Sequence, residues 1–136
     1  MTLENINAIA DAIVKELPSY PDVATILLLS GDMGAGKTTL TQAIGRALNI
    51  SDNMPSPTFV MRRDYSPVHD KFDKLIHIDA YRLSKDEAKA LGMHSEVSGG
   101  RTLIIMEWSE NIGEVPSDAK INIKHVSDFE REILIS

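Results

Sequence analysis

The sequence has no cysteine, and this absence excludes several classes of protein. Without thiols the chain forms no disulfide, has no thiolate nucleophile and cannot bind zinc or an iron–sulfur cluster through cysteine. Basic residues are also comparatively few, since 14 Lys and Arg face 20 Asp and Glu and the net charge is −6. This balance argues against a general polyanion-binding protein, so DNA is not an expected partner.

Long hydrophobic runs are missing as well. The longest aliphatic run is Ile26–Leu29, far below the about 18 apolar residues that a spanning helix needs. The first 17 residues lack the basic region of a secretory signal. We therefore expect a cytoplasmic protein that does not bind membranes. A length of 136 residues suits one compact domain, residues 1–136.

The spacing of apolar residues predicts helices that alternate with strands. Helical spacing from Ile6 to Leu17 and from Lys37 to Leu48 predicts two amphipathic helices, the second with Asn49 as its C-cap. A capping box at 84–87 predicts a third, short helix. Predicted strands cover 24–29, 59–65, 74–79, 103–106, 121–123 and 130–135. The pattern favours a three-layer α/β domain with a mostly parallel central sheet, an edge strand at 59–65 and a C-terminal β-hairpin.

A glycine-rich loop lies between the first predicted strand and the second helix. Residues 31–38 read GDMGAGKT, which matches the phosphate-binding pattern G-x-x-x-x-G-K-[ST]. Glycines let the backbone approach phosphate, and the N–H groups at the start of the helix attract anions. In such loops the lysine contacts the β- and γ-phosphates and the following hydroxyl binds Mg²⁺. The predicted nucleotide site consists of Gly31, Asp32, Met33, Gly34, Ala35, Gly36, Lys37, Thr38 and Thr39.

ATP is the expected nucleotide. GTPases of this class read guanine through an [NT]-K-x-D segment, and the sequence contains none. The segment Ser56–Thr58 lies where a P-loop protein has a switch region, so the Thr58 hydroxyl is a further candidate for the γ-phosphate or its metal. A proline-stiffened turn is the alternative interpretation of this segment.

Two carboxylates end predicted strands. Asp79 ends LIHID and Glu107 ends TLIIME. Because ligands of open α/β sheets collect at the carboxyl ends of strands, both are candidates for holding Mg²⁺ or its waters. Each could instead be a helix cap or a surface ion pair, and the pattern alone does not assign the direct ligand. Trp108, the only tryptophan, is either a core residue or an anchor for a partner.

Four segments together resemble one known family. The segments GDMGAGKTT (31–39), SPTF (56–59), HIDAYRL (77–83) and MEWSE (106–110) resemble, in order and spacing, the signatures of the TsaE family, formerly YjeE. The resemblance implies a P-loop NTPase-like fold and the ATPase subunit of the bacterial machinery that makes N6-threonylcarbamoyladenosine at position 37 of tRNAs. It implies ATP/ADP and Mg²⁺ as cofactors, TsaB and TsaD as partners, and tRNA as an indirect partner through that complex.

The resemblance also implies roles for individual residues. Lys37 would contact phosphate, Thr38 and Glu107 would hold Mg²⁺, and Asp79 would lie near the γ-phosphate and the attacking water. Lys37, Asp79 and Glu107 are therefore the expected catalytic residues. Slow hydrolysis by the isolated chain is expected, because no arginine finger is placed beside the γ-phosphate.

Two other functions remain open from the sequence. One is a small-molecule or nucleoside kinase, although the arginines do not cluster in a lid-like insertion. The other is a nucleotide-dependent binding module without its own turnover. The pair Arg62–Arg63 is either a contact for a partner or tRNA, or part of a solvated strand edge.

Overall fold

The computed structural model describes residues 5–21, 24–31, 36–50, 62–79, 101–107, 117–125 and 131–135. Within these ranges the chain forms two helices and six strands. In chain order they are α1 (Ile6–Glu16), β1 (Thr25–Gly31), α2 (Lys37–Ala47), β2 (Arg62–Tyr65), β3 (Lys74–Asp79), β4 (Thr102–Glu107), β5 (Ala119–His125) and β6 (Arg131–Ile135). The predicted helix that starts at the 84–87 capping box lies outside the described residues, as does the loop 51–58.

All six strands belong to one sheet, in the order β2-β3-β4-β1-β5-β6. The four central strands run parallel, whereas β2 is antiparallel to β3 and β6 is antiparallel to β5. This topology confirms the mostly parallel sheet, the C-terminal hairpin and the edge position of the strand that contains Arg62 and Arg63. A mixed α/β sheet of this kind is typical of P-loop NTPases.

The helices α1 and α2 pack on one face of the sheet. Alternate residues of β1 and β4, such as Leu27, Leu29 and Ile105, lie in one buried cluster with Ile13 of α1 and Ile44 of α2. This agrees with the period of two by which strand side chains face opposite sides. The opposite face is also buried, at Leu28, Ile76, Ile78, Ile104 and Met106. Burial on both faces explains the near-continuous aliphatic sequences of β1 and β4.

The end of α2 corrects one detail of the sequence analysis. The C-cap is Leu48, and Asn49 follows it in the left-handed region with φ 57. The N–H of Asn49 donates to Arg46 O at 3.0 Å and the N–H of Ile50 donates to Gly45 O at 3.0 Å. These two bonds form a Schellman motif, in which the left-handed residue follows the cap. Asparagine tolerates that conformation, so the pattern identified the right residue for the wrong position.

A lysine from the segment before β3 closes the end of α1. The Nζ atom of Lys71 donates to Val14 O at 2.7 Å and to Lys15 O at 2.8 Å. Cations are favoured at helix C-termini because the last carbonyls have no partner within the helix and carry partial negative charge. Neither α1 nor α2, the helices of the described ranges, is long and apolar enough to cross a membrane.

The amino ends of the strands are tied together by side-chain hydrogen bonds. The carboxylate of Asp118 accepts from the N–H of Ile26 at 2.8 Å and from the hydroxyl of Tyr20 at 2.7 Å. Arg101 donates its backbone N–H to Tyr20 O at 2.8 Å, and its side chain contacts Asp73 Oδ2 at 3.0 Å. The glycine loop and the predicted acidic residues lie at the opposite, carboxyl ends of the strands.

Candidate nucleotide site

The glycine loop begins and ends on glycines in the left-handed half of conformational space. Gly31, the last residue of β1, has φ 145, and Gly36, the N-cap of α2, has φ 107. Residues with a Cβ atom adopt such angles only at an energetic cost, which accounts for glycine at both places. Gly36 also provides no side-chain hydrogen bond that caps α2, and the first turn of a helix is where backbone N–H groups bind anions.

Lys37 connects the two ends of this loop. Its side chain is buried, with 6% of the residue exposed, and its Nζ atom donates to the carbonyl oxygen of Gly31 at 2.7 Å. The ammonium group is therefore held at the carboxyl end of β1, directly beside the start of α2. A cation in that position can transfer its hydrogen bond from a backbone carbonyl to a phosphate oxygen.

The other predicted nucleotide contacts are partly described. Thr38 and Thr39 lie in the first turn of α2 and are half-buried. The remaining predicted contacts lie outside the described residues; they are Asp32, Met33, Gly34, Ala35 and Thr58. Trp108 also lies outside them. The described part of the loop thus brings Gly31, Gly36 and Lys37 together and places Thr38 on the adjoining turn.

The sheet register places the two acidic residues at the same edge. Glu107 pairs in parallel register with Leu29 of β1 on one side and with Asp79 of β3 on the other. The chain reaches Gly31 two residues after Leu29, so Glu107 lies beside the strand that leads into the glycine loop. For Asp79 the structure describes the backbone position, which is where the sequence pattern predicted it.

Glu107 is a buried carboxylate on the same sheet face as α1 and α2. Only 4% of the residue is exposed, and its parity along β4 matches that of Leu103 and Ile105 in the helix-side cluster. Its Oε2 atom lies 2.6 Å from Nε2 of His77, whose exposed fraction is 1%. Burying a carboxylate without a partner destabilises the folded state, and the hydrogen bond to His77 reduces that free-energy cost.

The described donors suit a magnesium ion only as part of a larger set. Among the described residues, no three His, Asp or Glu side chains are grouped to hold a metal by themselves. Magnesium usually takes one or two protein oxygens and completes its octahedron with waters and substrate phosphates. A carboxylate from Glu107 and a hydroxyl from Thr38 fit that requirement.

Comparison with known proteins agrees with this geometry. Residues 1–133 match the family model described as "Threonylcarbamoyl adenosine biosynthesis protein TsaE". The chain belongs to the TsaE family. The resemblance of the four sequence segments is thereby confirmed along nearly the whole chain.

Relatives and a solved structure give the extent of the similarity. This family member is 37% identical over 124 residues to the Bacillus subtilis "tRNA threonylcarbamoyladenosine biosynthesis protein TsaE", which covers 90% of this chain and 75% of the relative. The Haemophilus influenzae protein of the same description is 32% identical over 124 residues, with 88% and 75% covered. The crystal structure of Bacillus subtilis YdiB superposes with a TM-score of 0.70 at 30% identity, covering 98% of this chain and 78% of that one. The chain thus spans about three quarters of the length of these proteins.

One residue that contacts Glu107 in this TsaE family member has no role in the sequence pattern. The sequence pattern includes His77 only as part of HIDAYRL, whereas the structure pairs it with Glu107. A signal was present, because His77 follows Leu75 at a spacing of two, which places a polar residue on the face of β3 that packs against the helices. The sheet register that brings His77 to Glu107 is not visible in the sequence.

Proposed function

We propose that this TsaE family member is a magnesium-dependent ATPase that binds a TsaB–TsaD complex and couples hydrolysis to its turnover in tRNA threonylcarbamoyladenosine synthesis. The observation that carries the proposal is the bond from Lys37 Nζ to Gly31 O, at the edge of the sheet where Glu107 ends β4. This arrangement supports phosphate binding between a cation and a buried carboxylate that are held by adjacent strands.

In this mechanism the triphosphate replaces the Gly31 carbonyl as the acceptor of the hydrogen bond from Lys37. The ammonium group of Lys37 exchanges the Gly31 carbonyl for β- and γ-phosphate oxygens, and the first-turn N–H groups of α2 donate to the same phosphates. The phosphates gain charge-assisted hydrogen bonds, which are roughly twice as strong as neutral ones. ATP is thereby oriented with its γ-phosphate toward the ends of β3 and β4, and ADP would use the β-phosphate contacts alone.

Glu107 and Thr38 would hold the metal. When bound, Mg²⁺ neutralises charge that develops on the phosphate oxygens. Glu107 lies next to β1 in the sheet, so its carboxylate can bind an ion that lies beside the glycine loop. We assign Asp79, the register partner of Glu107, to orienting the attacking water. Catalysis then consists mostly of orientation and charge stabilisation by preorganised groups.

Two of the described arginines lie away from the phosphate position, which gives the kinase alternative no support from them. Arg46 donates from Nε and Nη2 to Asn7 Oδ1 at 3.2 and 2.9 Å, which joins the last turn of α2 to the first turn of α1. Arg101 contacts Asp70 and Asp73 at the amino end of β4, the edge opposite Glu107. Neither residue lies over the phosphate position, where a kinase places arginines on the transferred group.

Membership in the family supports a role in tRNA threonylcarbamoyladenosine synthesis, and the partners named here are part of the proposal. The curated relatives are described as tRNA threonylcarbamoyladenosine biosynthesis proteins. A net charge of −6 does not favour tRNA binding by this chain alone. We therefore propose that tRNA is engaged through TsaB and TsaD, with this chain acting on the complex rather than carrying out the transfer.

Phosphate release from Mg·ATP tests the proposal. The purified chain is assayed alone and with its cognate TsaB–TsaD pair, and we expect slow release alone and clear stimulation by the pair. Omitting Mg²⁺ or substituting Glu107→Gln should remove the stimulated rate. Stimulation that survives both changes would contradict the metal site. A chain that releases no phosphate under any condition, yet binds ATP tightly, would be a binding module, and a phosphorylated small-molecule acceptor would indicate a kinase.

A further inference from the structure

A buried histidine contacts the carboxylate that we assign to the metal. His77 is the register partner of Ile105, so Glu107 lies one inward-facing position further along the neighbouring strand. The side chains of His77 and Glu107 are 1% and 5% exposed, and Nε2 lies 2.6 Å from Oε2. At that distance and burial the two side chains hold each other in a fixed orientation.

The free side of the imidazole identifies the donor in this bond. Among the described residues, Nδ1 of His77 is buried and has no hydrogen-bond partner. A buried N–H without a partner is rarer than a buried acceptor without one. The proton therefore belongs on Nε2, where it is donated to Glu107, and Nδ1 is the bare nitrogen. With the proton on Nε2, Glu107 accepts this bond through Oε2, and its other oxygen is left for a cation.

We propose that His77 is a positioning residue, which fixes Oε2 of Glu107 through its Nε2–H and leaves the second oxygen of the carboxylate for Mg²⁺. This inference rests on the metal role proposed for Glu107. Glutamate has three rotatable side-chain bonds, and a hydrogen bond from a rigid ring restricts them before the ion binds. Partners that orient a metal ligand typically account for about 10- to 100-fold in metal affinity.

Two amide substitutions separate positioning from mere packing. In His77→Gln the side-chain amide nitrogen reaches the place of Nε2 and can still donate to Glu107. In His77→Asn the amide ends nearer to the place of Nδ1 and falls short of the carboxylate. For each variant, the dissociation constant of ribose-labelled fluorescent ADP is measured with MgCl₂ and with EDTA. The ratio of the two constants is the magnesium enhancement.

We expect His77→Asn to reduce the magnesium enhancement about 10- to 100-fold and His77→Gln to retain most of it. Affinity in EDTA should stay near the wild-type value in both variants, which shows that the glycine loop is intact. Leu75→Ala is the matched control, since Leu75 is buried two residues earlier on the same strand and face. It should lower the melting temperature without lowering the enhancement.

Three results would overturn the inference, and they are distinguishable. If Glu107→Gln abolishes the enhancement while His77→Asn preserves it, His77 does not position the ligand and the metal role of Glu107 stands. If Glu107→Gln itself preserves the enhancement, the metal role is wrong and the role of His77 falls with it. If Leu75→Ala reduces the enhancement as strongly as His77→Asn, the effect is general destabilisation of β3.

Discussion

Lys37 offers the sharpest test of the nucleotide site, because its contribution to the fold can be separated from its contribution to binding. Lys37→Met keeps the aliphatic stem and removes the ammonium group. The carbonyl of Gly31 then loses the bond from Nζ at 2.7 Å, which costs about 1–3 kcal/mol if the oxygen stays dry. Removing a buried charge offsets part of that cost. We therefore expect the unliganded variant to remain folded with stability close to that of the wild type.

The effect on binding is expected to be larger. A hydrogen bond to a charged group contributes about 1.5–3 kcal/mol, and of the β- and γ-phosphates that Lys37 would contact, ADP has only the β-phosphate. At about 1.4 kcal/mol per factor of ten, loss of that contact should lower ADP affinity roughly 10- to 100-fold. With ADP at about 100 times the wild-type Kd, the wild type gains about 2.7 kcal/mol of stability, whereas the variant gains about 0.4–1.4 kcal/mol.

Thermal unfolding with and without Mg·ADP measures this difference. The wild-type gain corresponds to a rise in Tm of roughly 10 °C for a domain of this size, and the Tm of the variant should rise by only about 1–5 °C. Lys71→Met is the matched control, because Lys71 also donates to backbone carbonyls but at the end of α1. It should lower the Tm of the unliganded chain and keep the full rise with ADP. If Mg·ADP raises the Tm of Lys37→Met as much as that of the wild type, Lys37 does not contact the phosphate.

Three further predictions concern other residues. Asp79→Asn should lower phosphate release while preserving the magnesium enhancement of ADP binding; loss of the enhancement instead would exchange the roles of Asp79 and Glu107. Asn49→Ala should destabilise the chain by about 1 kcal/mol more than Asn49→Gly in urea unfolding, because only glycine accepts φ 57 at little cost; equal effects would argue against the Schellman motif. The hydrogen bond to Asp118, with desolvation and the charge of that carboxylate adding to it, raises the pKa of Tyr20 above 10.0. The contribution of this hydrogen bond to stability is therefore complete below pH 10 and is lost as the pH rises through the folded-state pKa of Tyr20. Tyr20→Phe should make the unfolding free energy decline less steeply at alkaline pH. A decline as steep as that of the wild type would contradict this prediction.

Local patterns predicted most of the described fold. The strand at 74–79 has the bounds that the alternation in KLIHID indicates, and α2 begins at Lys37 as the glycine-loop motif requires. Differences arise where the ends depend on neighbours. β5 runs from Ala119 to His125 rather than over 121–123, because its ladder to β1 and β6 continues through polar residues that hydropathy does not mark.

The candidate site was predictable as a set of residue types rather than as an arrangement. The motif identified Lys37 and the carboxylate at Glu107, and the rule that ligands collect at the carboxyl ends of strands placed them at one edge. The pair between His77 and Glu107 joins residues 30 positions apart, and only the β3–β4 register decides which inward position of one strand meets which of the other. The Lys37–Gly31 bond likewise depends on backbone angles that the sequence permits without specifying.

The position of β1 in the sheet has a consequence for synthesis of the chain. In the described sheet β1 is a central strand, and its partners are β4 and β5, which follow it by more than half of the sequence. A ribosome that adds about 5–20 residues per second needs roughly 5 to 20 seconds to complete both partners after β1. During that interval the most aliphatic strand has two unpaired edges, which are templates for association with other chains.

The nascent chain therefore cannot form its sheet progressively from the N-terminus. The helices α1 and α2 can shield one face of β1, since the three elements share a hydrophobic cluster, but they leave its backbone N–H and C=O groups without strand partners. Aggregation during expression should accordingly depend on how fast translation passes from β1 to β5, and premature termination before β4 should yield an insoluble fragment. The strand order that brings distant segments together at the proposed phosphate site also delays completion of the sheet until β5 has been synthesised.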